Sequence, residues 1–133
     1  MGQICSKPPD EYRVKLYITP LYVDKQIVSD EQLNKFINSK RWLSELKYAL
    51  DEIKGIQQVV VKGKIVIKGT VSRKDTTKFG SIRKGGKKRD FKNGVIAMFH
   101  ESVHAGDPLT IENIEIIKFQ FKFEFFDEMN KEH

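Results

Sequence analysis

Between Tyr12 and Ile18 the chain alternates strictly, with Tyr12, Val14, Leu16 and Ile18 apolar or aromatic and Arg13, Lys15 and Thr19 on the other side. A period of two predicts a half-buried strand, and Pro20 ends or bends it. The period then changes. Ser29-Asp30-Glu31-Gln32 is a capping box with Ser29 as N-cap, and Leu33, Phe36 and Ile37 follow on one helical face. The apolar phase slips near Ser39–Arg41 and resumes as Leu43, Leu46, Leu50 and Ile53, with Gly55 expected to close a second helix. Trp42 is expected in the same core or in the corner between the two helices.

From Gln57 to Ser72 the period of two returns. Val59, Val61, Ile65, Ile67 and Val71 share one face, whereas Lys62, Lys64 and Lys68 make the other face basic. This predicts one long strand, with Lys62-Gly63 as a turn if it is instead two short ones. Asn93-Gly94 reads as a turn, Val95–Val103 as a short apolar segment, and Gly106-Asp107-Pro108 as a stop. The last element, Thr110–Phe126, puts Ile111, Ile117, Phe119, Phe121, Phe123 and Phe125 on one face and Lys118, Gln120, Lys122 and Glu124 on the other. A strand, two helices and then three strands predict an α+β fold, a single domain in which an antiparallel sheet packs against a two-helix hairpin. The expected boundaries are a flexible tail over 1–11, one domain over 12–127, and a C-terminal tail over 128–133.

Charge changes this picture because it is unevenly placed. Arg73, Lys74, Lys78, Arg83, Lys84, Lys87, Lys88, Arg89 and Lys92 face only Asp75 and Asp90, so residues 73–92 carry +7 against +6 for the whole chain. Punctuated by Gly80, Gly85 and Gly86, this stretch is expected to be a mobile basic loop on a nearly neutral body. No apolar run approaches the ~18 residues of a membrane-crossing helix, and no signal-peptide apolar region is visible.

The first seven residues carry a chemical signal of their own. In Met1-Gly2-Gln3-Ile4-Cys5-Ser6-Lys7, removal of Met1 exposes Gly2, with a hydroxyl at Ser6 and a cation at Lys7. That is the N-myristoylation pattern, in which the acyl group needs an unhindered α-amine. Cys5 is the single cysteine of the chain, so it has no intramolecular disulfide partner. One myristoyl chain anchors a protein only marginally, and a thiol three residues away is placed for the second, palmitoyl signal.

A second motif points elsewhere. His100-Glu101-Ser102-Val103-His104 is a literal HExxH. On a helix His100 and His104 would stand one turn apart and share a Zn²⁺, with Glu101 activating its water. These five residues resemble the zincin metalloprotease signature. The longer metzincin form does not continue, since Asp107 and Thr110 stand where a glycine and a third histidine belong. A downstream ligand would have to be Glu112, Glu115 or Glu124. The competing expectation is a strand, with Ala97, Phe99, Glu101 and Val103 facing inward and the histidines outward.

An acylated tail and a polybasic segment converge on an anionic membrane surface, since each Lys or Arg near such a surface contributes about 1 kcal/mol. The same cations would serve RNA or a nucleocapsid. In these respects the chain resembles viral matrix proteins. Arenavirus Z and retroviral matrix proteins carry a myristoylated N-terminal glycine, to which Gly2 corresponds. The element order is similar to the rhabdovirus matrix core, and Pro8-Pro9-Asp10-Glu11-Tyr12 is one residue longer than the Pro-Pro-x-Tyr motif of that family. The resemblance implies a self-associating scaffold without catalytic activity or cofactor, on the cytoplasmic face of a eukaryotic membrane or inside a virion. No small-molecule substrate is evident. The alternatives are a membrane-tethered zinc protease and a nucleic-acid-binding protein.

Overall fold

The computed structural model of the chain describes residues 11–72, 87–104 and 106–127, and these form a five-stranded antiparallel sheet with three helices. The first alternating run is β1 (Glu11–Tyr22), which buries Val14, Leu16 and Ile18. Helices α1 (Asp30–Ile37) and α2 (Lys40–Ala49) follow, both capped by serine. Ser29 makes the full capping box with Gln32, and Ser39 accepts from the Trp42 amide. Strands β2 (Ile53–Val61) and β3 (Lys64–Ser72) form a hairpin. Then come α3 (Lys87–His104), the short β4 (Thr110–Ile111) and the long β5 (Ile114–Asp127). The strands lie in the order β2-β3-β1-β5-β4.

The α+β single domain is as expected, but several local expectations are corrected. The first concerns residues 57–72, which form not one long strand but the alternative, two strands with Lys62-Gly63 as their turn. Lys62 and Gly63 both have positive φ (49° and 78°), as a two-residue type I′ turn requires. Asp30, at the start of α1, clamps that turn by accepting from the amides of Lys62 (3.1 Å) and Gly63 (2.7 Å). Secondly, Gly55 does not end α2. The helix stops at Ala49 with Leu50 as C-cap, and Gly55 (φ +65°) sits in a β2 bulge where Gly55 and Ile56 oppose Gly69 alone.

The third correction is the largest. Asn93-Gly94 is inside a helix, and the strand alternative for 95–103 is not adopted. Phe91, Val95, Phe99 and Val103 recur every four residues, and all are buried. A glycine costs a helix about 1 kcal/mol. Fully burying Phe91 and Phe99 returns about 1.5–3 kcal/mol each, so packing wins. The helix also takes in Lys87–Lys92, so the expected basic loop over 73–92 is shorter at its C-terminal end. Finally, β5 slips phase beside a bulge at Leu21/Tyr22, so Ile116 is buried while Ile117 stays 45 % exposed.

All three helices cover one face of the sheet. Trp42 is fully buried at their junction, its ring centroid 5.3 Å from Phe36, 5.6 Å from Phe99 and 6.0 Å from Phe119. Its indole N–H donates to the Gln58 Oε1 (3.0 Å), and the Gln58 amide donates to the Ile37 carbonyl (3.2 Å). The buried indole N–H is thereby satisfied. Leu43, expected in this core, is 43 % exposed because the helical phase turns Trp42 and Leu46 inward instead.

Candidate anion-binding face

Alternation along a strand sends every second side chain to the face that the helices leave open. On β1 these are Arg13, Lys15, Tyr17 and Thr19; Lys54, Lys64 and Lys68 join them from the β2–β3 hairpin, and Lys118 and Lys122 from β5. Seven cations thus share one face. Glu124 is a carboxylate among them, and Glu11 shares the face at the start of β1. Glu124 accepts from the Tyr17 hydroxyl (3.3 Å), lies 3.9 Å from the Lys122 ammonium, and stands opposite Lys15. The ammonium groups of Lys15 and Lys122 lie 5.6 and 5.8 Å from the Tyr17 ring centroid, within cation–π range.

The register also sets Lys15 directly opposite Lys68. Like charges at such a position destabilise a sheet by a few tenths to about 1 kcal/mol. Beside this pair, the Gly55 bulge opens a cleft of about 570 Å³ lined by Arg13, Lys15, Lys54 and Lys68 together with Gln57, Thr70 and Phe126. No carboxylate lines it among the described residues.

The cleft lies at one pole of the sheet, and the same pole gathers the ends of several segments. Glu11 pairs with Ser72, and Tyr12 pairs with Asp127. Phe91, one turn into α3, packs its ring 6.4 Å from Phe123 and 6.1 Å from Phe125 near the end of β5. Residues 1–10, both ends of the basic segment 73–86, and residues 128–133 therefore all join the body at this pole.

Of the residues singled out from sequence, Gly2, Cys5, Lys7, Arg73, Lys74, Lys78, Arg83 and Lys84 lie outside the described residues. Lys87, Lys88 and Arg89 form the first turn of α3, and Lys92 is half-buried one turn later. Arg13, Lys15, Lys54, Lys118 and Lys122 were missed. Each read as the solvated side of its own strand, and only the inter-strand register gathers them.

The HExxH motif is helical, and His100, Glu101 and His104 are all exposed on α3. The His100 ring lies 6.2 Å from Phe121. Glu101 is engaged across the helices by the Tyr48 hydroxyl, which donates to its Oε1 at 2.8 Å and is held above the ordinary tyrosine range by that bond and by the carboxylate charge. Glu124 is on the opposite face of the sheet from α3, while Glu112 faces a shallow hollow beside α1 with Lys35 and Arg41. No group of three His, Cys, Asp or Glu side chains that could hold a metal occurs among the described residues.

No known protein family, curated protein or solved structure matches this chain. Among the described residues, no helix is long and apolar enough to cross a membrane.

Proposed function

We propose that this protein is a non-enzymatic peripheral membrane protein that docks on an anionic leaflet through one pole. It is acylated at Gly2, with Cys5 as the site of a second acyl chain, and it acts as a matrix or assembly scaffold on the cytoplasmic face of a membrane or inside a virion. The observation that carries this is the pairing of Glu11 with Ser72, beside a cleft lined by four cations. A tail with an acylation pattern and a segment rich in Lys and Arg leave the body side by side, next to further positive charge.

The magnitudes favour joint action. A single myristoyl chain gives a binding constant of only about 10⁴ M⁻¹. Four cations at about 1 kcal/mol each add roughly 4 kcal/mol, on the order of a thousandfold. Self-association has a route through β5. Beyond Ile116, whose amide donates to the Leu109 carbonyl, no described strand pairs with the far side of β5, which leaves backbone donors and acceptors open to a second chain.

The test is flotation of the acylated protein with phosphatidylcholine vesicles, with and without phosphatidylserine, across a salt series. Binding that needs phosphatidylserine and weakens with salt is expected. No vesicle binding, with salt-dependent binding to RNA instead, would move the protein to the nucleic-acid class.

A further inference from the structure

We propose that the cleft between β1, β2 and β3 is a defined site for a phosphorylated ring or headgroup, held by Lys15, Lys54, Lys68 and Arg13. This goes beyond docking on a charged surface, because a site discriminates by shape where a charged patch does not.

Several features of the cleft support it. Lys15 and Lys68 oppose each other; Glu124 stands beside Lys15 on β5, outside the cleft, whereas the lining itself holds no carboxylate, so an anion bound there lessens a repulsion as well as adding an attraction. Lys54 and Lys68, with Lys15 beside them, bring more than one positive charge to the cleft, which suits the dianion of a phosphomonoester. The Thr70 hydroxyl and the Gln57 amide supply neutral donors, and the guanidinium of Arg13 matches phosphate geometry. Phe126, 40 % exposed, provides an apolar wall for a ring. The volume of about 570 Å³ suits a small organic ligand and is far larger than a bare phosphate needs. The shape is built into the backbone. Gly55 takes a positive φ that makes the bulge, and Gly69 lets β2 approach so closely that an added Cβ would lie 2.8 Å from the Lys54 carbonyl oxygen.

The phosphate could come from a free phosphorylated compound or from a lipid, and the test separates the two. The soluble probe is inositol trisphosphate, followed by titration calorimetry. The membrane probes are phosphatidylcholine vesicles carrying phosphatidylinositol bisphosphate, or phosphatidylserine at equal total charge. The full-length protein is compared with Lys54→Gln/Lys68→Gln and with Lys64→Gln/Lys118→Gln, which removes the same charge from the same face outside the cleft. Circular dichroism checks that each variant is folded.

The cleft variant is expected to weaken binding about tenfold or more, and the control variant less than about threefold. Single-site binding of inositol trisphosphate supports the site with a free compound as one source. Preference for the bisphosphate vesicles over the phosphatidylserine vesicles supports it with a lipid source. If the soluble probe binds but no vesicle does, the site stands and the membrane proposal falls. Equal losses in both variants would overturn the site, as would failure of the soluble probe together with equal binding to both vesicle types. Either result would leave only a diffuse positive field.

Discussion

Glu11 and Ser72 face each other across the β1–β3 ladder, so the first ten residues and the basic segment leave the sheet from neighbouring strands, about 5 Å apart. In sequence these two residues are 61 positions apart. The register brings both to a single pole of the sheet, which also carries the Arg13–Lys54 end of the cleft. Three consequences for the body can be measured without reference to any membrane.

Gly69→Ala should destabilise the fold by about 1–3 kcal/mol, the usual cost of overpacking. The added methyl would meet Ile53 Cγ2 at 2.5 Å and the Lys54 carbonyl oxygen at 2.8 Å, and the second contact is backbone that cannot rotate away. Urea denaturation gives the number, and an unchanged midpoint would mean that the bulge is not held against Gly69.

Alkaline pH should weaken the fold through Tyr22. Burial pushes its hydroxyl up to about 12 from 10.0. Between those values the folded chain keeps a proton that the unfolded chain has released. Folded protein therefore binds more protons, and stability falls as pH rises above 10. Below pH 10 the group is neutral in both states and contributes no slope. Tyr22→Phe should flatten most of this decline in denaturation midpoints, leaving the smaller part that belongs to Tyr48. An equally steep decline in the variant would contradict burial of the hydroxyl.

Glu101→Gln should return the Tyr48 hydroxyl toward its ordinary range, because both its charged acceptor and the carboxylate field are removed. Both groups are exposed, so the denaturation midpoint should stay close to that of wild type. Spectrophotometric titration of tyrosinate reads the first effect. The same variant tests the protease alternative, since metal-dependent peptide hydrolysis that disappears with Glu101→Gln would make the HExxH motif catalytic.

Much of the fold is legible where period and capping agree. The alternation of β1 and the Ser29–Gln32 capping box appear as expected. α3 was obscured because Asn93-Gly94 is a turn signal, and the compensating burial of Phe91 and Phe99 exists only once β5 and Trp42 are in place. Gly55 shows the same ambiguity: a glycine with positive φ serves a helix end or a β-bulge equally well, and tertiary packing chooses. The cleft was not legible at all. Lys15 and Lys68 are unremarkable lysines on separate strands until the register sets them face to face.

The most direct measurement is membrane flotation from eukaryotic cells expressing wild type and Gly2→Ala, with a clickable myristate label. The docking-pole account predicts that wild type is labelled and floats, while Gly2→Ala is unlabelled and remains in the soluble fraction. Wild type that is unlabelled and soluble would contradict it.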